Sequence, residues 1–571
     1  MAIIRKLEIK NFRSIQSLNW APMPGINCLI GPGDSGKSTI LDAIDICLGA
    51  RRNVSFEDTD FYDLNVQELI DISITLGNLP ETLLNLDSYG NFLRGFVPET
   101  KEIEDEPRAG IETVLTLRLR VSSDLEPSWL LYSERAEKIS LERRMGWAER
   151  TILSPVRIGN YSNSNLSWTR GSVLNRLTTD RANLGPALAE AARSARANFG
   201  DLAAVQLNNT LQAVTSTANE LGIPIGEIAK ALLDSHSVSI SDGAISLHSE
   251  NGVPLRLLGT GSTRLLIAGL QRRATTDASI ALIDEVEYGL EPHRIARLLD
   301  SLGAKETSPP LQVFMTSHSP VAIRELSGDQ LFIVRRNEFH HVSKVGSSDE
   351  VQSTLRTVPE AFLAKSIIVC EGASEVGFAR GLDQFWVSQG SKSFFALGGA
   401  YVDAKGGSPD QCFERAIALK QLGYRVLVLV DGDKPLNAEL VMKFNGPFIN
   451  WRSPRALEDE LFLSLNDTAI DTLVAKAITV FDREMVGEHI RSKSNGQKSL
   501  DDIELESLLA PITEETKIIL GKASRTKGSG WYKSVTTFQE VAKEIVGPHL
   551  DTADQEFQET VNRLRSWMYA S

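Results

Sequence analysis

The stretch Ile26-Asn27-Cys28-Leu29-Ile30-Gly31-Pro32-Gly33-Asp34-Ser35-Gly36-Lys37-Ser38-Thr39 decides the reading of the first half of the chain. Ile26 to Ile30 reads as a short buried strand, the glycine-rich run as a tight loop, and Ile40 to Leu48 as a helix with an apolar pattern. In that setting the glycines let backbone N–H groups curl round a phosphate, because the amides at a helix N-terminus are unpaired and the helix dipole favours an anion there. Lys37 is expected to reach the β- and γ-phosphates of a nucleotide, and the Ser38 hydroxyl to join the shell of a Mg²⁺ ion. Gly31, Gly33, Asp34, Ser35, Gly36, Lys37, Ser38 and Thr39 therefore form the candidate nucleotide-binding set. A plain glycine turn is the competing reading, so the partner motifs carry the decision.

Those partners occur in order. Ser279-Ile280-Ala281-Leu282-Ile283-Asp284-Glu285 is an apolar strand ending in two carboxylates, of which Asp284 would hold Mg²⁺ through water and Glu285 would polarise the attacking water. This looks like a Walker B motif. Leu258-Gly259-Thr260-Gly261-Ser262-Thr263-Arg264, just before a helical pattern, is similar to the divergent signature loop of ABC-type ATPases. Tyr288 to Pro292 resembles a D-loop, and Phe314 to Pro320 resembles the strand end that carries a switch histidine, here His318. Together with Leu7 to Ser14, the ordered set resembles the ABC ATPase class that includes RecF and SMC proteins. The resemblance implies that Gly261 and Ser262 touch a γ-phosphate held by a second head, that His318 senses that phosphate, and that hydrolysis needs a dimer.

The segment from about Gly171 to Leu233 is rich in Ala, Leu, Asn and Arg, with Leu184, Leu188, Ala191, Ala192, Leu207 and Leu211 at helical spacing. It reads as an inserted helical hairpin, serving either dimerisation or packing as a lobe within one subunit.

At 571 residues the chain exceeds one hydrophobic core. A formal net charge of −14 argues against a general polycation that coats nucleic acid, so any such role needs local basic patches. Cys28, Cys47, Cys370 and Cys412 are widely spaced, which supports neither a disulfide framework nor a zinc knuckle and suits a reducing cytoplasm. Met1 to Lys6 lacks the apolar stretch of a signal peptide, and no run approaches the roughly 18 apolar residues of a membrane span. A cytoplasmic protein without a membrane partner is the expectation.

The second half begins after a polar stretch, Arg335 to Glu350. Ser366 to Cys370 is an apolar run that stops at Glu371, and Gly372-Ala373-Ser374-Glu375 opens a helix, placing Glu375 beside Glu371. Tyr424 to Val430 stops at Asp431-Gly432-Asp433, whose glycine permits a close backbone approach. Leu457-Glu458-Asp459-Glu460-Leu461 adds a third acidic cluster. Carboxylates converging on strand ends would hold two Mg²⁺ or Mn²⁺ ions about 4 Å apart, one activating water and the other stabilising a leaving oxygen. Taken singly, each acid is equally a solvated face or a helix cap.

This arrangement resembles the Toprim domain, and an ABC-type ATPase with a C-terminal Toprim is the architecture of the OLD (overcoming lysogenization defect) family of nucleases, including the ATPase-nuclease subunit of Gabija phage defence. The resemblance implies an α/β fold: an ABC-type P-loop ATPase head in residues 1–165 and 236–345, a helical insertion in 166–235, a linker in 346–364, and a Toprim domain with helical C-terminal additions in 365–571. Glu371, Glu375, Asp431, Asp433 and Glu458 match the family's metal-binding acids, with Glu460 as a substitute in the third cluster. The family's basic residue corresponds to Lys533 or Lys527, and the adjoining Trp531-Tyr532 pair favours Lys533. Further phosphate contacts are expected from Arg491, Lys493, Lys498, Lys522 and Arg525. The implied activity is ATP-regulated, metal-dependent DNA cleavage in antiviral defence. The implied cofactors are ATP and Mg²⁺ or Mn²⁺ (Ca²⁺ as a substitute in vitro), and the implied partners are DNA and a homodimer or homotetramer, with a helicase-like protein left open. The rival readings are a non-cleaving ATPase sensor or scaffold and a RecF-like repair ATPase.

Overall fold

The computed structural model describes residues 2–50, 54–159, 166, 172–177, 185–221, 223–231, 247–273, 279–336, 338–406 and 408–570. By its internal contacts the chain divides into one unit of Met1–Cys28 with Gly36–Ser317 and another of Leu29–Ser35 with His318–Ser571.

In the first unit, seven strands form an antiparallel sheet: β1 (Ile3–Phe12), β2 (Ile15–Trp20), β4 (Ile70–Gly77), β5 (Leu93–Val97), β6 (Glu102–Glu104), β7 (Glu112–Val121) and β8 (Pro127–Tyr132). Their order is β2-β1-β4-β7-β5-β6, with β8 also paired to β7. The alternation of Leu7 and Ile9 with Glu8 and Lys10 gives β1 one buried face, as a half-covered antiparallel strand requires. The strand β3 (Ile26–Ile30) leads into the glycine loop, and β9 (Val156–Ile158), β10 (Ile280–Ile283) and β11 (Gln312–Thr316) run parallel in the order β3-β11-β10-β9. Every residue of β10 and β11 is buried, the pattern expected of a sheet covered on both faces. The helix Lys37–Leu48 lies between the two sheets, with Ile40, Leu41, Ile44, Cys47 and Leu48 removed from solvent.

The expected helical insertion is represented by the helices Gly185–Gln206 and Asn208–Glu220, which pack on each other. Val205, Val214 and Leu221 are exposed there, while Gly171, Leu184 and Leu233 lie outside the described residues.

In the second unit, β12 (Leu331–Arg336) and β13 (His340–Lys344) form a hairpin. Residues 346–364, expected as a linker, are instead folded: the helix Asp349–Thr357 is capped by Ser348 and buries Val351 and Leu355, and Phe362 is fully buried edge-on to Tyr424. The polar composition there is that of one exposed helix face. Next comes a parallel sheet of β14 (Ser366–Cys370), β15 (Gly399–Asp403), β16 (Arg425–Val430) and β17 (Phe448–Asn450) in the order β15-β14-β16-β17. The crossover after β15 passes to the far side of β14, so the strand order reverses between β14 and β16. In open parallel sheets that switch point leaves a crevice beyond the carboxyl ends of the two strands, where ligands bind. Helices from Leu457 onward complete a core around Phe378, Trp451, Phe538 and Phe557. Among the described residues no helix is long and apolar enough to cross a membrane.

The helices Ala373–Ser388 and Val535–Val541 meet at glycines: a Cβ at Gly381 would fall 2.3 Å from the Gln539 carbonyl oxygen and 2.7 Å from Ala542 Cβ. Gly381→Ala is expected to cost about 1–3 kcal/mol by forcing these helices apart. Gly269→Ala, in the open interior of the helix Thr260–Arg273, is expected to be neutral or to stabilise by up to about 1 kcal/mol. Urea unfolding of the two variants beside the parent measures both.

Candidate functional site

The glycine loop adopts the backbone its sequence demands. Gly31 (φ +131°), Asp34 (φ 57°) and Gly36 (φ 87°) have positive φ, and a Cβ on Gly31 would lie 2.7 Å from the Val334 carbonyl oxygen. Lys37 is buried at the first turn of its helix and Ser38 is exposed beside it. Ser38 Oγ donates to Asp284 Oδ1 at 3.0 Å, bringing together two side chains that lie far apart in sequence and that could share a Mg²⁺ shell. Thr316 Oγ1 ties the end of β10 to β11 by donating to Asp284 Oδ1 (2.6 Å) and accepting from Glu285 N (2.8 Å). Glu285 itself is exposed with φ 47°, an uncommon backbone for a residue with a side chain.

That strained turn has a clamp that sequence reasoning missed. Arg264 is almost wholly buried, and its guanidinium donates to the carbonyl oxygens of Asp284 (2.8 Å), Glu285 (2.9 Å) and Tyr288 (2.8 Å). The planar fork of Arg suits three converging acceptors where the single ammonium of Lys would not. Its position at the end of the signature-like loop was the available signal. Gly261, in the first turn of the helix Thr260–Arg273, packs so closely on Gly289 that a Cβ would lie 2.3 Å from its carbonyl oxygen, and Ser262 accepts from Arg294 at 3.1 Å. His318 is exposed directly after Ser317, at the end of β11.

The second acidic set gathers at the switch point. β14 and β16 are in register with Cys370 opposite Leu429, so Glu371 leaves the sheet beside Val430, one residue before Asp431. Asp431 N donates to Glu371 Oε2 (3.1 Å), Leu457 N to Asp431 Oδ1 (2.9 Å), and Ser374 Oγ to Glu458 Oε1 (3.3 Å). Gly432 makes the approach feasible: a Cβ there would stand 2.2 Å from the Trp451 carbonyl oxygen, and its N–H donates to Arg455 O at 2.9 Å. Glu375 turns back to accept from Gly372 N at 2.7 Å, so it caps its own helix while facing the other acids. Burial, and after it the charges of Glu458 and Glu371, pushes the Glu375 carboxyl up to about 8. Burial, then Glu375, Glu458 and Glu371, also holds Asp431 well above the usual carboxylate range. Burial raises Glu458, against which Lys533 and then Arg525 act.

Two expected members stand apart. Glu460 is buried with Arg452 (2.5 Å) and Arg455 (3.4 Å), away from Glu458, because residues two apart on a helix face different directions; its assignment to the metal set is corrected. Asp433 is exposed past the bend at Gly432 and faces Arg525 at 3.5 Å. Two of the expected phosphate contacts are likewise committed elsewhere: Arg525 also pairs with Asp459 (2.7 Å), and Lys498 pairs with Glu506 (2.6 Å). Arg491, Lys493, Lys522 and Lys527 are exposed. Lys434, overlooked although it directly follows the two aspartates, reaches Glu371 Oε1 at 3.1 Å.

Among the described residues no three His, Cys, Asp or Glu converge closely enough to ligate an ion. Each acid is held by a nearby donor that a metal would have to replace. The charge of the cluster nonetheless suits a cation, since burial raises the proton affinity of Glu375, Asp431 and Glu458 and would favour a positive charge beside them.

A family model described as "AAA domain, putative AbiEii toxin, Type IV TA system" matches residues 26–324. No curated protein matches the chain. Among solved structures, the SMC head bound to the C-terminal winged-helix domain of ScpA is 16% identical over 59% of this chain and 97% of its own, with a TM-score of 0.30. The SMC head domain from Thermotoga maritima is 13% identical over 60% and 99%, with a TM-score of 0.28. The recombination mediator RecF bound to ATP is 12% identical over 60% and 99%, with a TM-score of 0.31. Likeness at that level does not bear on function.

The raised Glu375 carboxyl has a sign that can be worked out. Its ordinary value is 4.5 and its folded value about 8, so between those limits the unfolded chain releases the proton first and stability falls as pH rises. In chelator, the melting temperature is expected to decline across that window, and Glu375→Gln to flatten the decline. Mn²⁺ is expected to restore the parent most strongly near pH 8. Thermal melts of both proteins across that range, with and without Mn²⁺, check it.

Proposed function

From a chain that belongs to the AAA_21 family of AAA domains, and whose residues 26–324 are accordingly a P-loop ATPase domain of mixed α/β structure, we propose an ABC-type ATPase joined to a metal-dependent phosphodiesterase that cleaves DNA. The observation that carries the nuclease reading is the gathering of Glu371, Glu375, Asp431 and Glu458 at the switch point of a parallel sheet, with Lys434 paired to Glu371 and the charge of Lys533 acting on Glu458. The strand order and the acids after β14 and β16 resemble a Toprim domain, and the combination resembles OLD-family nucleases.

In the ATPase, Lys37 would neutralise the β- and γ-phosphates, Ser38 and Asp284 would hold Mg²⁺, and Glu285 would orient the attacking water. Thr316 and Arg264 fix the turn on which Asp284 and Glu285 sit. In the nuclease, Glu371, Asp431, Glu375 and Glu458 would hold Mg²⁺ or Mn²⁺, whose chemistry is to activate water and stabilise the leaving oxygen. Lys533 offsets negative charge at Glu458 and is placed to do the same for a phosphate. Glu371 is fixed by Asp431 N and Lys434, so its carboxylate is oriented before substrate arrives.

A second reading, a sensor or scaffold that binds without cutting, draws on the spacing of the acids, no three of which among the described residues lie close enough to ligate an ion, and on the ion pair of Lys434 with Glu371. Incubating the protein with supercoiled and linear DNA in Mg²⁺ or Mn²⁺, with and without ATP, separates the two. The nuclease reading expects cleavage that Glu371→Ala abolishes and Lys37→Ala only modulates. Lys37→Ala is expected to lose ATP hydrolysis, and Glu285→Gln to slow it roughly a hundredfold or more. DNA left intact by metal-loaded parent protein in every nucleotide state would favour the sensor.

A further inference from the structure

The turn Thr526–Lys533 ends at Lys533, which is exposed and whose charge acts on Glu458, and Arg525 just before it pairs with Asp459 and Asp433. It is anchored from outside the acid cluster. Trp531, 1% exposed, is wedged edge-on against Phe462 of the helix Leu457–Ser464, the helix that bears Glu458, and its indole N–H donates to His489 Nδ1 at 3.0 Å. His489 Nε2 and Ser529 Oγ lie 3.2 Å apart. One half-buried ring on the helix Arg483–Lys493 thus grips the turn at two points.

The chemistry of these partners fixes the ring's state. An indole nitrogen only donates, so Nδ1 must accept and carry no proton. In the neutral ring the proton then sits on Nε2 and is donated to Ser529 Oγ. A protonated ring would point Nδ1–H at the indole N–H, donor against donor. Of the charges acting on the ring, Glu488 on its own helix favours protonation and Lys493 opposes it, and contacts from other segments among the described residues come from the Phe481 ring, Trp531 and Ser529, none of them charged.

We propose that neutral His489 is a positioning residue that holds the Thr526–Lys533 turn on the helix that bears Glu458, so that its protonation loosens the turn, moves Lys533 and switches the site off in mild acid. The consequence for catalysis rests on the nuclease reading above; the anchoring itself does not. Burial lowers the affinity of the ring for a proton, with Lys493 adding to the effect, so the ring is neutral near pH 7 and the grip weakens below the ordinary histidine value of 6.5.

The test is amide hydrogen exchange of the segment 525–534 at about pH 7.5 and about pH 5.5, corrected for intrinsic rates, in the parent, His489→Ala and His489→Asn. Asparagine offers an acceptor oxygen near the place of Nδ1 and does not titrate. The parent is expected to lose protection only at the lower pH, His489→Ala at both, and His489→Asn at neither. DNA cleavage in Mn²⁺ is expected to follow, with kcat for His489→Ala down roughly tenfold to a hundredfold at neutral pH and a flat acid limb for His489→Asn. Equal protection in all three proteins at both pH values overturns the proposal. A turn that responds as expected in proteins that never cleave DNA supports the anchor and removes the nuclease reading instead.

Discussion

Burial of like charge at the end of two adjacent parallel strands is the constraint on which the second unit turns. Once β14 and β16 pair with Cys370 opposite Leu429, Glu371 and Asp431 are forced into company, and the helices that begin at Ala373 and Leu457 bring Glu375 and Glu458 to the same place. Removing a carboxylate from water is costly unless donors or opposite charge replace the lost hydration. The structure supplies backbone N–H groups from Gly372, Asp431 and Leu457, the hydroxyl of Ser374 and the ammonium group of Lys434, and the charge of Lys533 also acts on Glu458. The rest is met by raised proton affinity at Glu375, Asp431 and Glu458.

The phosphate-binding site solves a different problem. There the polar groups stay near water, Ser38 and Glu285 being exposed, and what must be controlled is backbone shape. Positive φ at Gly31, Asp34, Gly36 and Glu285 sets the course of the glycine loop and of the turn after β10. Arg264 and Thr316 supply the hydrogen bonds that hold the Glu285 turn in that conformation. Strain of this kind persists only where neighbours over-determine it.

Much of this was legible in the chain because short-range chemistry leaves local marks. The glycine loop before Lys37, the apolar run ending in Asp284 and Glu285, and the runs ending in Glu371 and Asp431 are each strand-plus-turn patterns readable within about ten residues. Glu460 was misjudged because a cluster of acids in sequence was taken for a cluster in space, whereas helix geometry turns Glu458 and Glu460 to different partners. Residues 346–364 were misjudged because polarity was read as a linker when it marks the exposed side of a packed helix. Arg264 and Lys434 were not singled out because a cation has no motif until its acceptors are known.

The sequence by itself determined the phosphate-binding loop, the parallel-strand ends and the acids that follow them, since these depend on residue type and on neighbours a few positions away. Only the tertiary structure decided which acids meet, which cations answer them, and that His489 and Trp531 hold the turn that bears Lys533. The reason is physical: strand order and helix rotation bring together side chains tens or hundreds of residues apart, and no local pattern encodes that distance.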